Sequence, residues 1–195
     1  MLKVITPVLL ALWAASEVLI RAISLANRPQ GEASPADRFS TIVVWLATVP
    51  PLGVAFLIYE HVLLPDGLGN FGALAPLPGY LGVTLVLSGL AVRLTAVVTL
   101  KRQFAITVSF IENHQLIQAG LYRYIRHPSY LGFLASELGF GLLSGNWFGL
   151  AVLAIPPLAG MLYRIHVEEQ ALRQRFGAAY TDYARHTSRL LPGIY

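Results

Sequence analysis

Arg126-His127-Pro128-Ser129-Tyr130 places a guanidinium, an imidazole and a phenol side by side in the sequence. Further along, Arg164, Glu168 and Glu169 set one cation and two carboxylates within two turns of a helix. Proline after histidine keeps His127 out of the helical region, and Pro128 suits the first turn of a helix. The start of that helix offers backbone N–H groups and a partial positive charge, a seat for a carboxylate or phosphate. His127 and Tyr130 would stand at that seat. A membrane-interface cap, with a snorkelling arginine and a belt tyrosine, accounts for the same residues equally well. Arg164 and Glu168 are four apart, so on a helix they share a face. Glu168 would then meet an ammonium group of a ligand and Arg164 a carboxylate. The plainer alternative is a surface i,i+4 pair, with Glu169 a solvated partner of Arg173.

Several chemistries are excluded or unsupported. The chain has no cysteine, which removes disulfides, thiol nucleophiles and Cys-ligated metal. His114 and His127 lack a matching acidic cluster, so no metal is expected. There is no Gly-rich phosphate loop and no Ser-His-Asp arrangement. The net charge of +4 follows the placement of arginines at membrane boundaries, so no nucleic-acid partner is implied.

The elements that must position these groups are membrane helices. Hydrophobic residues make up 55% of the chain and charged residues 12%, and the mean hydropathy is +0.61. Apolar runs of about 20 residues match a hydrocarbon core of roughly 30 Å. Backbone groups in lipid must be satisfied internally, so the runs read as helices. The expected fold is all-α and polytopic, with about five transmembrane helices in one domain of 195 residues. The spans are expected at 4–25, 40–64, 79–100, 129–143 and 147–163. The first three form an N-terminal unit, 1–100. The last two form a hairpin inside a catalytic region, 101–195, joined by Ser144-Gly145-Asn146. Pro50-Pro51 and Pro156-Pro157 should bend or break their helices.

Loops 26–39 and 101–128 and the tail carry most of the arginines, whereas loop 65–78 carries none. The positive-inside rule then puts the N-terminus outside, the C-terminus in the cytoplasm and both polar segments on the cytoplasmic side. The tail reads as a helical extension of the fifth span that stops at Phe176-Gly177. A short helix, 178–186, would follow, with Tyr180 and Tyr183 on one face. Glu17, Arg93 and Glu137 are ionisable residues within spans and therefore functional candidates. Arg93 and Glu137 are expected to pair.

The polar segments also carry a resemblance. His114-x-Leu116-Ile117-x-x-Gly120-x-Tyr122-x-x-x-Arg126-His127-Pro128-Ser129-Tyr130 resembles the core motif of the isoprenylcysteine carboxyl methyltransferase family. Arg164-x-x-x-Glu168-Glu169-x-x-Leu172-x-x-x-Phe176-Gly177-x-x-Tyr180-x-x-Tyr183, followed by Thr187-x-Arg189-Leu190-x-Pro192, resembles its tail. The likeness covers about residues 100–192 and is similar to the compact prokaryotic type. It implies a membrane methyltransferase using S-adenosyl-L-methionine and a lipophilic acceptor, with the α-carboxylate of an isoprenylcysteine as the methylated group. By that resemblance Thr107, His114, Leu116, Ile117, Gly120, Tyr122, His127, Pro128, Ser129, Tyr130 and Glu168 bind the cofactor. Arg164 binds the acceptor, and Arg164, Glu169 and His127 are the candidate catalytic residues. A looser resemblance extends to phospholipid methyltransferases and to membrane NADPH-dependent reductases. A non-enzymatic scaffold, with Glu17, Arg93 and Glu137 lining a path, is the remaining alternative.

Overall fold

The computed structural model describes residues 2–27, 34–74, 76–106 and 115–195. Its α-helices are α1 Leu2–Ala26, α2 Pro35–Tyr59, α3 Leu77–Leu100, α4 Pro128–Leu143, α5 Trp147–Phe176 and α6 Ala178–His186. Local chemistry sets their ends. Ser34 caps α2 by accepting the Asp37 N–H at 3.1 Å, with Pro35 at the first helical position. Asn146 caps α5 by accepting the Phe148 N–H at 2.8 Å. Gly177, at φ +55°, ends α5 in a conformation that disfavours a side chain. Its N–H returns to the Arg173 carbonyl at 2.9 Å.

Among the described residues four helices are long and apolar enough to cross a membrane: α1, α2, α3 and α5. The fifth expected span, α4, is helical but has only 16 residues. At 1.5 Å per residue it rises about 24 Å, short of a hydrocarbon core of roughly 30 Å. Ten of those residues are buried, because α3, α5 and α1 pack around it. A helix screened by protein need not match the bilayer. The second span also differs from expectation. It begins at Pro35 and ends at Tyr59 rather than covering 40–64. The proline pairs do not break their helices: α2 continues through Pro50-Pro51 and α5 through Pro156-Pro157. Each proline removes one donor, a loss that membrane helices tolerate when neighbours re-satisfy the freed carbonyls.

The closest packing is between α3 and α4, and glycines permit it. A methyl group placed on Gly89 would lie 2.5 Å from the Gly132 carbonyl oxygen, and one on Gly132 would lie 2.5 Å from that of Gly89. Two turns away, Gly82 and Gly139 meet in the same way at 2.7 Å. This is small-residue packing, in which helix backbones approach because no side chain intervenes. On the other side α2 packs along α5, with Gly160 against Ala47. In contrast, α1 and α2 barely touch each other.

The intramembrane charges pair differently from the sequence expectation. Arg93 does not bind Glu137. Its Nε and Nη2 donate to the two carboxylate oxygens of Glu17, at 2.6 and 2.7 Å. Its Nη1 donates to the Ser129 carbonyl and hydroxyl at 3.1 and 3.2 Å. A bidentate fork on one carboxylate is the geometry a guanidinium favours. Glu137 is fully buried, and neither carboxyl oxygen has a hydrogen-bond partner among the described residues.

Candidate active site

A short ladder ties the loop before α4 to the C-terminal tail. The Arg126 N–H donates to the Ser188 carbonyl at 2.8 Å, and the His127 N–H to the Arg189 carbonyl at 3.1 Å. His127 sits at φ −124° and ψ 56°, outside the helical region as Pro128 requires. The anion seat at the start of α4 is narrower than expected. Pro128 has no N–H, and those of Tyr130 and Leu131 both return to the His127 carbonyl at 3.1 Å.

The imidazole of His127 is buried and stacks on the Tyr130 ring, with centroids 5.4 Å apart and planes 4° from parallel. It lies between two carboxylates. Nδ1 is 3.9 Å from Glu168 and Nε2 is 3.6 Å from Glu169, both beyond hydrogen-bond reach. The Tyr130 hydroxyl donates to Glu168 at 2.5 Å, which holds that carboxylate toward a cavity.

Neighbouring carboxylates have separate environments. Glu169 is 3% exposed and accepts from Arg126 at 2.8 Å, Arg189 at 3.1 Å and Arg173 at 3.4 Å. It is therefore a buried hub rather than the solvated partner of Arg173 alone. It clamps α5 to the loop before α4 and to the tail. Arg126 also donates to the carbonyls of Ala184 and Thr187, which adds the end of α6 to the clamp. The cavity wall includes Glu168 but not Glu169.

Arg164 faces the cavity one turn before Glu168, as the four-residue spacing requires. It is buried and largely committed. Nη1 donates to the Asp37 carboxylate, to Ser40 Oγ at 2.6 Å and to Thr41 Oγ1 at 3.1 Å, and Nη2 donates to the Ile106 carbonyl at 2.5 Å. Sequence reasoning missed Asp37, because a first-turn acidic residue on α2 reads as an ordinary helix-start charge. Nothing local to it indicates a partner on α5.

These groups surround a cavity of about 440 Å³. Its polar end is lined by Leu116, Ile117, Tyr122, His127, Ser129, Tyr130, Glu168, Tyr180 and Tyr183. Its other end runs into the gap between α1 and α2, past Ala14, Val18, Val44, Trp45 and Val49. The Tyr183 hydroxyl donates to the Tyr122 carbonyl at 2.6 Å, which fixes α6 over the chamber. Burial pushes the Tyr183 phenol up to about 12. Burial also raises the Tyr122 phenol, assisted by nearby Glu168, and the Tyr180 phenol. All three are neutral at physiological pH, so none is a phenolate base.

The remaining expected residues are placed as follows. Pro128 is buried behind the wall and Gly120 is exposed. Gly120 has φ +58°, a conformation that serves the turn into Tyr122. Thr107 and His114 lie outside the described residues.

Comparison with known proteins decides the family. The sequence profile of the isoprenylcysteine carboxyl methyltransferase family matches residues 82–174. A probable protein-S-isoprenylcysteine O-methyltransferase of Oryza sativa subsp. indica is 36% identical over 148 residues, covering 73% of this chain and 75% of that protein. The chain belongs to the isoprenylcysteine carboxyl methyltransferase family. The protein-S-isoprenylcysteine O-methyltransferase of Saccharomyces cerevisiae is 31% identical over 140 residues, 70% of this chain and 59% of that one. Among solved structures, the eukaryotic intramembrane Ras methyltransferase ICMT superposes with a TM-score of 0.66 at 24% identity. The superposition covers 95% of this chain and 64% of that chain, a likeness of fold. This family member is thus an all-helical, multi-pass membrane protein, with its polar chamber built from the segments before α4 and after the bilayer-length part of α5.

Proposed function

We propose that the chain transfers a methyl group from S-adenosyl-L-methionine to the α-carboxylate of an isoprenylcysteine-type acceptor, on the cytoplasmic side of the membrane. One observation carries this reading: a single cavity joins a polar chamber to an apolar gap between α1 and α2. A charged cofactor and a lipid-soluble acceptor can then meet without either crossing the other's medium. The cytoplasmic assignment rests on the positive-inside distribution of arginines, with α4 and α5 as the final hairpin.

The polar chamber suits the cofactor. His127 Nε2 and the Tyr180 hydroxyl are buried and have no hydrogen-bond partner among the described residues. Both residues line the chamber, although Nε2 itself faces Glu169 behind the wall, 3.6 Å away. Glu168, oriented by Tyr130, would take the ammonium end. Leu116, Ile117 and Tyr122 would pack the remainder. When bound, the cofactor supplies an electrophilic methyl on a positively charged sulfur.

The chain's own residues then have a limited task. An acceptor carboxylate is already a nucleophile, so no strong base is needed. That agrees with neutral tyrosines and with a Glu169 held by three arginines. Arg164 would keep the acceptor carboxylate in line, its position set by Asp37. Glu169 and His127 act as positioning residues that hold the chamber wall. Alignment and exclusion of water supply the rate.

The test is methyl transfer from labelled S-adenosyl-L-methionine to an N-acetylated isoprenylcysteine by the purified protein in lipid vesicles. Calorimetric binding of S-adenosylhomocysteine is measured alongside. Wild type should methylate the α-carboxylate of the isoprenylcysteine, forming its methyl ester, and bind the product cofactor. Glu168→Ala should weaken that binding by about tenfold or more, the loss of one charge-assisted contact. Label recovered in phospholipid but not in the thioether would overturn the acceptor assignment.

A further inference from the structure

The deep end of the cavity is closed by an indole. Trp13 lines the cavity and is 9% exposed. Beyond it lies packed core: Leu9, Ala55, Phe140 and Leu153 are buried in the same cluster, and none of them reaches the cavity wall. The indole is wedged against two rings of α4, at 6.2 Å from Phe133 and, edge-on, at 6.0 Å from Phe140. Phe133 is on the cavity side and Phe140 behind it. Leu52 of α2 and Met161 of α5 complete the floor.

We infer that Trp13 is the residue that limits the length of the acceptor's isoprenyl tail. This rests on the acceptor class proposed above. The wall along α2 runs from Thr41, beside Arg164, to Leu52. Eleven residues of helix give an apolar path of about 16 Å. A tail anchored by its carboxylate near Arg164 runs down this path and ends against the indole.

What lies behind Trp13 makes it a hard stop. Glu137 sits between Phe133 and Phe140 on the same face of α4, fully buried, with both carboxyl oxygens unpartnered among the described residues. The indole Nε1 is likewise buried without a hydrogen-bond partner among the described residues. Hydrocarbon pushed past the indole would meet the close-packed core of Leu9, Ala55, Phe140 and Leu153, with the buried Glu137 carboxyl on the same face of α4 as Phe140. Lateral escape toward lipid past Trp45, which is 53% exposed, is the competing route. A tail that left that way would not sense Trp13.

The experiment compares kcat/KM for N-acetylcysteine thioethers carrying ten-, fifteen- and twenty-carbon isoprenyl tails. It uses wild type, Trp13→Ala and Trp45→Ala in vesicles, with S-adenosylhomocysteine binding as the check on folding. A single methylene in an apolar pocket is worth about tenfold or more, and one isoprene unit adds several. Trp13→Ala should therefore shift the ratio of the longest to the shorter tails upward by at least about tenfold. Trp45→Ala should leave that ratio unchanged. An unchanged ratio in a Trp13→Ala protein that still binds S-adenosylhomocysteine overturns the inference. So does a ratio that moves only with Trp45→Ala. If wild type methylates none of the three tails, the acceptor class itself falls, and the length limit with it. Should Trp13→Ala fail to bind S-adenosylhomocysteine, Trp13→Leu supplies the same comparison, with the same outcome required.

Discussion

Asp37 offers the sharpest test of how this protein holds its site. Its side chain is completely buried, and Arg164, its ionic partner on α5, is 4% exposed. Replacing Asp37 with alanine leaves the guanidinium hydrogen-bonded to Ser40, Thr41 and two backbone carbonyls, with Glu168 its remaining charged neighbour. Breaking one side of a buried ion pair costs about 3–5 kcal/mol. For a chain of this size each kcal/mol moves the unfolding midpoint by about 2–4 °C, so Asp37→Ala should lower it by about 6–20 °C. The assay is thermal unfolding in detergent, followed by intrinsic fluorescence. The paired replacement Asp37→Leu with Arg164→Met removes both charges. Swapping a buried pair for apolar residues is often neutral or stabilising, so most of the midpoint should return. Methyl transfer should not, because Arg164 is then absent from the acceptor's path. A fall of less than about 3 °C for Asp37→Ala would mean the pair does not fasten α2 to α5. Activity in the double variant would remove Arg164 from the mechanism.

Three other outcomes follow from the packing and the burial. Gly132→Leu should abolish folded yield in gel filtration, since even a methyl there lies 2.5 Å from the Gly89 carbonyl oxygen. Gly53→Ala, with nothing within 4 Å, should be silent in the same assay. Glu137→Leu should raise the thermal midpoint, because removing an unpartnered buried polar group is worth about 1–3 kcal/mol. A lower midpoint would mean that the carboxyl has a partner in the membrane. The Tyr183 phenol is raised from 10 to about 12 in the folded chain. Its contribution to stability is complete below pH 10 and is lost as the unfolded state ionises up to about pH 12. Chemical unfolding between those values should be less pH-dependent in Tyr183→Phe than in wild type.

The helices and their polar ends were legible because both rest on local signals. Apolar run length gave α1 and α3 to within a few residues, and Phe176-Gly177 marked the end of α5 because only the φ of glycine suits that stop. Tyr180 and Tyr183 were assigned to one face by helical spacing alone, and the structure buries both. Long-range partners carry no such local signal. The pairing of Arg93 depends on α1 leaning against α3, so Glu17 won over the expected Glu137. Asp37 and Arg164 are 127 residues apart, and only the docking of α2 on α5 joins them. The glycines at 82, 89, 132 and 139 drew no reading from the sequence, although each pair is seven residues apart on its helix. Their meaning appeared only when two helices brought the set together. Charge type in one sequence could not separate Glu168 from Glu169 either. One faces the cavity and the other is enclosed by arginines, a difference of one position around a helix.

The tail ladder also bears on the order of manufacture. Helices α1 to α5 can enter the membrane and lock through their glycine contacts while residues 177–190 are still being made. Yet Tyr180, Tyr183, Ser188 and Arg189 are what close the polar chamber and complete the grip on Glu169. A ribosome stalled anywhere before them leaves a membrane-inserted bundle whose polar chamber lacks a wall. Under the proposed function such a product would occupy the bilayer without consuming methyl donor, and an affinity matrix bearing S-adenosylhomocysteine would separate finished molecules from unfinished ones.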